Sequence, residues 1–314
     1  MKAGGRGAGP IYALVGATAT GKTDLGERLA TELGAEIVCA DSRQVFAELD
    51  IGTGKPAARE RSSRPHHLFD ALSVGARPSA GWFARAATGA IEGVRAHGKA
   101  PLLVGGAGLY LRALREGLGA EPELDSQARA RLGDELDALP LADLRARLER
   151  LDAVGAARIR AGDRQRMRRA LEVVELSGQT LGWWQALPAR PPVEGDWRVV
   201  EVRVPTAELS RRIERRTTWM FGHGLVEETR ALVDGGLEPA LRRLRAVGYD
   251  EALDLLAGTC TRADAETRTS QRTRQLAKRQ RTWFRHQVEA GVLEGTAGAD
   301  ELAAQALRWF HATG

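Results

Sequence analysis

The chain has 314 residues, 43% hydrophobic and 28% charged, enough to bury one large core or a core with a smaller domain beside it. No run of about 18 apolar residues occurs, which excludes a membrane-spanning helix. Two cysteines far apart in sequence, Cys39 and Cys260, argue against a disulfide framework, a zinc site or C-x-x-C redox chemistry.

Residues 1–9 are glycine-rich and read as a flexible arm, and the strand that follows is too short for a signal-peptide core. With no membrane span, this predicts a soluble cytoplasmic protein. The apolar run "IYALV" (Ile11 to Val15) leads directly into "GATATGKT": Gly16, Ala17, Thr18, Ala19, Thr20, Gly21, Lys22 and Thr23. A buried strand running into G-x-x-x-x-G-K-[ST] and then a helix (Lys22 to Gly34) is a phosphate cradle. Its glycines let backbone N–H groups face an anion, the lysine adds charge, and the final hydroxyl is the place for Mg²⁺. Only five of the 46 basic residues are lysine, so the chain's own bias toward arginine does not supply Lys22. A compact ammonium is preferred there.

Two further strand candidates, "EIVCA" (Glu36 to Ala40) and "APLLV" (Ala100 to Val104), end in the loops "DSRQ" and "GGAG", with helical periodicity between them. With "WRVVEVRV" (Trp197 to Val204) they predict an α/β fold. It is a P-loop NTPase-like, open, mostly parallel sheet flanked by helices, with its ligands at the carboxyl ends of the strands. Asp41, directly after the second strand, is a candidate Mg²⁺ ligand, a candidate general base, or with Ser42 a turn or cap former. The segment that follows carries Gln44, Lys55 and two glycines, more than a simple strand-to-helix connection needs.

From residue 121 to 196 the text becomes amphipathic helix with no strand candidate, and reads as a helical insertion domain between core segments 10–120 and 197–314. Beyond Pro205 everything reads as helical. Basic residues come in blocks. Six arginines stand against one aspartate from Arg158 to Arg169, and seven basic residues with no acid lie between Thr267 and Val288. Two such blocks point to a polyanion surface such as nucleic acid.

"GATATGKT", "DSRQVF", "DIGTGKP", "HHLFD", "LVGGAGLYLRAL", "GDRQRMRRALEV", "RIERR", "RAVGYDE" and "TRQLAKRQRTWFR" stand in one order over nearly the whole length. In that order the chain resembles the bacterial tRNA dimethylallyltransferases. The resemblance implies transfer of a dimethylallyl group from its diphosphate to the exocyclic amine of the adenosine 3′ to a tRNA anticodon. Mg²⁺ assists, the anticodon stem-loop is the partner, and a monomer with no membrane association is expected. It implies Asp41 as general base and Arg216 at the diphosphate. Contacts with tRNA are implied for Asp41, Ser42, Arg43, Gln44, the residue at position 107 and Arg129, and for Gln165, Arg166, Met167, Arg168 and Arg169. Position 107 is Ala107 where the family usually has threonine, which removes a hydroxyl from the reacting region. Met167 reads better as core than as contact. Trp283 and Phe284 either pack their helix or stack a base, and His66 and His67 read as structural.

The rival from sequence physics is a P-loop kinase acting on a nucleotide or other small molecule, with Asp41 on Mg²⁺ and "DRQRMRR" as a lid over ATP. The acid-free basic block argues against it, because a small-molecule kinase has no use for one. Backbone donors do not distinguish polyphosphates, so ATP binding at the loop is compatible with either reading.

Overall fold

The computed structural model describes residues 9–118, 122, 124–188 and 191–312; the arm expected at residues 1–8 lies outside them. Two compact units form, one from residues 1–115 with 192–314 and one from residues 116–191.

The first unit is built on six parallel strands: β1 (Ile11–Gly16), β2 (Glu36–Cys39), β3 (His66–His67), β4 (Pro101–Gly105), β5 (Trp197–Arg203) and β6 (Gly291–Glu294), in the order β3-β2-β4-β1-β5-β6. Every residue of β1 and β2 is buried, which explains their unbroken apolar text: a parallel strand covered on both faces has no polar side to alternate with. On one face Ile11, Val15 and Val38 pack with Phe83 and Ile91 of the helix Ala80–Ala96 and with Leu111 and Leu114 of the helix Gly108–Arg115. On the other, Tyr12, Leu14 and Leu102 meet Leu25 and Leu29 of the helix Lys22–Leu33 and Phe310 of the helix Ala299–Ala312. The order puts β1 between β4 and β5 and brings the carboxyl ends of β1, β4 and β2 side by side.

All four expected strands form. The reading of everything beyond Pro205 as helical is corrected by β6, which pairs with β5 from Val200↔Gly291 to Arg203↔Glu294. It is four residues long and alternates buried and exposed, too short for its period to stand out beside long helices. The two-residue β3 was equally invisible.

A third cluster in the same unit joins Phe46, Leu49, Met220, Phe221, Leu225, Tyr249 and Leu253, packing helices after β5 against the loop that follows β2. The second unit is helical, with helices Ser126–Ala138, Leu141–Leu151, Ala153–Arg158, Arg164–Ser177 and Leu181–Ala186 around Leu136, Leu144, Leu148, Met167 and Leu171. Among the described residues no helix is long and apolar enough to cross a membrane.

Candidate active site

The phosphate loop runs from the end of β1 to the helix Lys22–Leu33. Gly21, at the helix N-cap, has φ 87°, a conformation that only glycine adopts without strain, and Ala19 accepts φ 63° within the same turn. Lys22 Nζ donates to the Ala17 carbonyl at 2.5 Å and lies 3.5 Å from Thr20 Oγ1, while the Thr20 hydroxyl donates to Ala17 O at 2.9 Å. Burial pushes the Lys22 ammonium down to about 8; Asp41 opposes the shift and Arg216 adds to it.

Arg216 arrives from the helix Thr206–Gly222. One end of its guanidinium donates to Thr18 Oγ1 at 3.2 Å and the other to the Thr53 carbonyl at 2.8 Å. Burial pulls its pKa down and Asp41 pulls it up. Thr53 O also accepts from Gln44 Nε2 (3.3 Å), as does Gly54 O (3.1 Å), so the "DIGTGKP" segment turns its carbonyls toward the site. Lys55 holds that segment from behind. Its buried ammonium donates to Phe46 O (2.8 Å) and Asp70 Oδ1 (2.6 Å) and pairs with Asp50 (2.6 Å).

Asp41 accepts the Arg43 N–H at 2.8 Å, closing an Asx turn at the strand end, and its carboxylate still lines the cavity. The turn-forming reading of Asp41 holds, and the turn does not remove the residue from the cavity. Arg43 folds inward, donating to Leu244 O at 3.1 Å. Tyr110 stacks on Phe83 with ring centroids 4.3 Å apart, and burial pushes its hydroxyl up to about 12.

Several of these groups open on one cavity of about 590 Å³. Thr18, Thr53 and Arg216 line it together with Asp41, Ser42 and Arg43, and with Ala107 and Tyr110. Gln275, Arg279 and Gln280 of the helix Arg262–Gln287 line it too. Among the sequence candidates, the loop, Asp41, Ser42, Arg43, Gln44, Ala107 and Arg216 thus belong to one region of the first unit. Among the described residues no group of three or more His, Cys, Asp and Glu is placed to hold a metal. What is available is the Thr23 hydroxyl at the helix start and the Asp41 carboxylate. Such a sparse oxygen set suits Mg²⁺, which keeps waters and takes substrate phosphate oxygens as its other ligands.

The remaining candidates lie in the second unit. Gln165 and Arg166 are exposed, whereas Met167 is fully buried in that unit's core. Arg129, Arg168 and Arg169 converge on Glu172, whose side chain is 2% exposed: Arg129 Nε donates at 3.2 Å, Arg168 at 2.6 and 2.9 Å, and Arg169 Nη1 lies 3.7 Å away. Trp283 and Phe284 pack edge to face; Phe284 is buried in the core, and the half-buried Trp283 lies against Gly108. His66 pairs with Glu27 (2.5 Å) and His67 with Glu36 (2.7 Å), in structural roles. Sequence reasoning missed Gln280, Lys55 as a loop anchor, and Tyr110. For Lys55 the scarcity of lysine was the available signal; Gln280 gave none.

The IPP transferase family model matches residues 44–287 and the isopentenyl transferase model residues 9–70. The tRNA dimethylallyltransferase of Halorhodospira halophila is 43% identical over 282 residues, 89% of this chain and 91% of that protein. The one from Geobacter sulfurreducens is 37% identical over 300 residues, 96% of each. Among solved structures, a tRNA isopentenylpyrophosphate transferase from Staphylococcus epidermidis superposes with a TM-score of 0.69 at 30% identity, over 97% of this chain and 99% of that one. A eukaryotic dimethylallyltransferase acting on tRNA shares the fold at a TM-score of 0.77 and 23% identity, over 96% of this chain and 78% of its own. With its phosphate loop, strand-end aspartate and arginine on one cavity, and with matches along most of its length, the chain belongs to the IPP transferase family.

Proposed function

We propose that this enzyme transfers the dimethylallyl group of dimethylallyl diphosphate to the exocyclic amine of the adenosine 3′-adjacent to the anticodon of tRNA, releasing diphosphate. The observation that carries the reading is that Arg216 and the phosphate-loop residue Thr18 share one cavity with Asp41. An allylic diphosphate reacts when its C1–O bond breaks and the electron pair leaves on the diphosphate. What a catalyst must stabilise is that growing anion. The loop's N–H groups, Lys22 and Arg216 supply fixed positive charge there. Mg²⁺, held by the Thr23 hydroxyl and by diphosphate oxygens, would neutralise further charge on the leaving group. The adenine amine is a weak nucleophile because its lone pair is delocalised into the ring. As the new C–N bond forms, Asp41 accepts the proton that the amine must lose. An unpaired anticodon-loop base reaches such a cavity at lower cost than a duplex base. The exposed residues Gln165 and Arg166, together with Arg279 at the cavity, are suited to hold the RNA.

The test is to incubate purified protein with unmodified tRNA and labelled dimethylallyl diphosphate and to analyse the nucleosides. A prenylated adenosine beside the anticodon is expected. Absence of product, or ADP formed in step with any product, would overturn the reading in favour of phosphoryl transfer.

A further inference from the structure

The amide of Gln280 is shared between two loops of the site. Its Oε1 accepts the Thr18 N–H at 2.8 Å, and its Nε2 donates to the Gly106 carbonyl at 3.0 Å. Thr18 belongs to the phosphate loop after β1, and Gly106 to the loop after β4. Both ends of the amide are used, and a charged side chain could not serve both: a carboxylate cannot donate to Gly106 O, and an ammonium cannot accept from Thr18 N–H. The fit is close as well. A Cβ at position 106 would come within 2.5 Å of Gln280 Nε2, so glycine is what allows the amide to approach.

The chain of contacts continues on either side. From Thr18, the hydroxyl accepts from Arg216. From Gly106, the next residue, Ala107, donates its N–H to the Ala40 carbonyl at 3.1 Å, and Ala40 precedes Asp41. Gln280 is therefore the side-chain link between the element that carries Arg216's partner and the strand end that carries the carboxylate.

We propose that Gln280 is a positioning residue that sets the spacing between the phosphate loop and the Asp41 strand end, and hence the alignment of leaving group and proton acceptor. The inference rests on the prenyl-transfer reading for what is aligned. A displacement of about 1 Å in reacting groups costs on the order of 10²-fold in rate. Because Thr18 N–H is only one of several donors in the loop, and because Gln280 is not one of the loop's cations, loss of the amide disturbs alignment more than affinity.

Two variants test this in the full-length enzyme. Gln280→Met keeps the side-chain length and removes both hydrogen bonds; Gln280→Glu keeps the acceptor toward Thr18 and removes the donor toward Gly106. Single-turnover rates, KM for each substrate and thermal melting are measured together. The expected result for Gln280→Met is a rate lower by roughly tenfold to 10²-fold. KM for tRNA should stay within about threefold and the melting temperature close to wild type, and Gln280→Glu, which sets a carboxylate against the Gly106 carbonyl, should be impaired in rate as well. A wild-type rate in either variant, or a loss that tracks melting or tRNA KM alone, would overturn the positioning role. Wild-type protein that forms no prenylated nucleoside would instead sink the underlying functional reading, so the two failures are distinguishable.

Discussion

Arg216 and Thr18 are joined guanidinium to hydroxyl at 3.2 Å, across 198 residues of sequence. The contact places a permanently charged fork against the phosphate loop, while the fork's other arm is fixed on Thr53 O at 2.8 Å. Arg216→Gln keeps a donor but removes the charge. Turnover with saturating substrates is expected to fall by about 10²- to 10³-fold, the usual effect of losing one preorganised donor at a developing anion. An Arg216→Gln enzyme with a near-wild-type single-turnover rate would show that the charge is not used at the leaving group.

Asp41 is asked for a different contribution. Asp41→Asn retains the acceptor for the Arg43 N–H, so the Asx turn should survive, but the amide cannot take up a proton. The rate is expected to drop about 10²-fold or more with KM for dimethylallyl diphosphate nearly unchanged. A variant defective chiefly in diphosphate binding would assign Asp41 to the metal instead of the proton.

Lys22 predicts a pH dependence. Burial lowers its pKa to about 8, so the free enzyme holds the ammonium below that pH and loses it progressively above. A bound diphosphate favours the charged form. Above pH 8 binding must therefore take up a proton, and affinity should fall as pH rises, approaching tenfold per unit once the lysine is mostly neutral. Titration calorimetry at pH 8.5 in buffers of different ionisation enthalpy should report net proton uptake, and Lys22→Arg should abolish it. Equal heats in all buffers would refute the assignment.

Much of this site was legible because its signals are local. The phosphate loop and Asp41 each follow a strand whose two covered faces leave a continuous apolar run, so the text marks both the strand and its end. Arg216 could be placed only by resemblance, since a single arginine on the helix Thr206–Gly222 looks like its surface neighbours Arg211 and Arg215. Gln280 was beyond reach for a similar reason: its partners, Thr18 and Gly106, lie 262 and 174 residues away. The same limit blurred the insertion. Read along the chain, Arg168 and Arg169 look like free positive charge, but Glu172, one helical turn on, draws them and Arg129 inward.

That convergence separates two roles within "DRQRMRR". Glu172→Ala leaves three arginines around a buried vacancy, and breaking a buried ion pair from one side costs about 3–5 kcal/mol. Amide hydrogen exchange should therefore accelerate throughout residues 126–186. The Arg166 side chain is 76% exposed and pairs with Asp163 at 3.4 Å. Arg166→Ala should change stability by less than about 1 kcal/mol and, if it meets a phosphate, flatten the log–log salt dependence of tRNA binding by about one unit. Unchanged affinity and slope would remove Arg166 from the RNA surface.

The C-terminal basic block divides in the same way. Arg268 pairs with Asp254 at 2.7 Å, Arg272 with Asp250 and Glu251 at 2.8 and 2.6 Å, and Arg274 with Glu214 at 2.8 Å, so the first half of the block is neutralised by neighbouring helices. Further along the helix, Arg279 lines the cavity and is exposed. Absence of acid in sequence therefore does not mean absence of acid in space, and the net positive surface shifts toward the second half of the helix. Arg279→Ala should weaken tRNA binding and lower the salt slope by about one unit, the value for a single phosphate contact. Arg268→Ala should leave the slope unchanged and cost at most about 1 kcal/mol of stability, as a half-exposed ion pair does. Filter-binding titrations of both variants from low to physiological salt make the comparison. A slope change confined to Arg268→Ala would reverse the polarity of the helix and place the RNA at its other end.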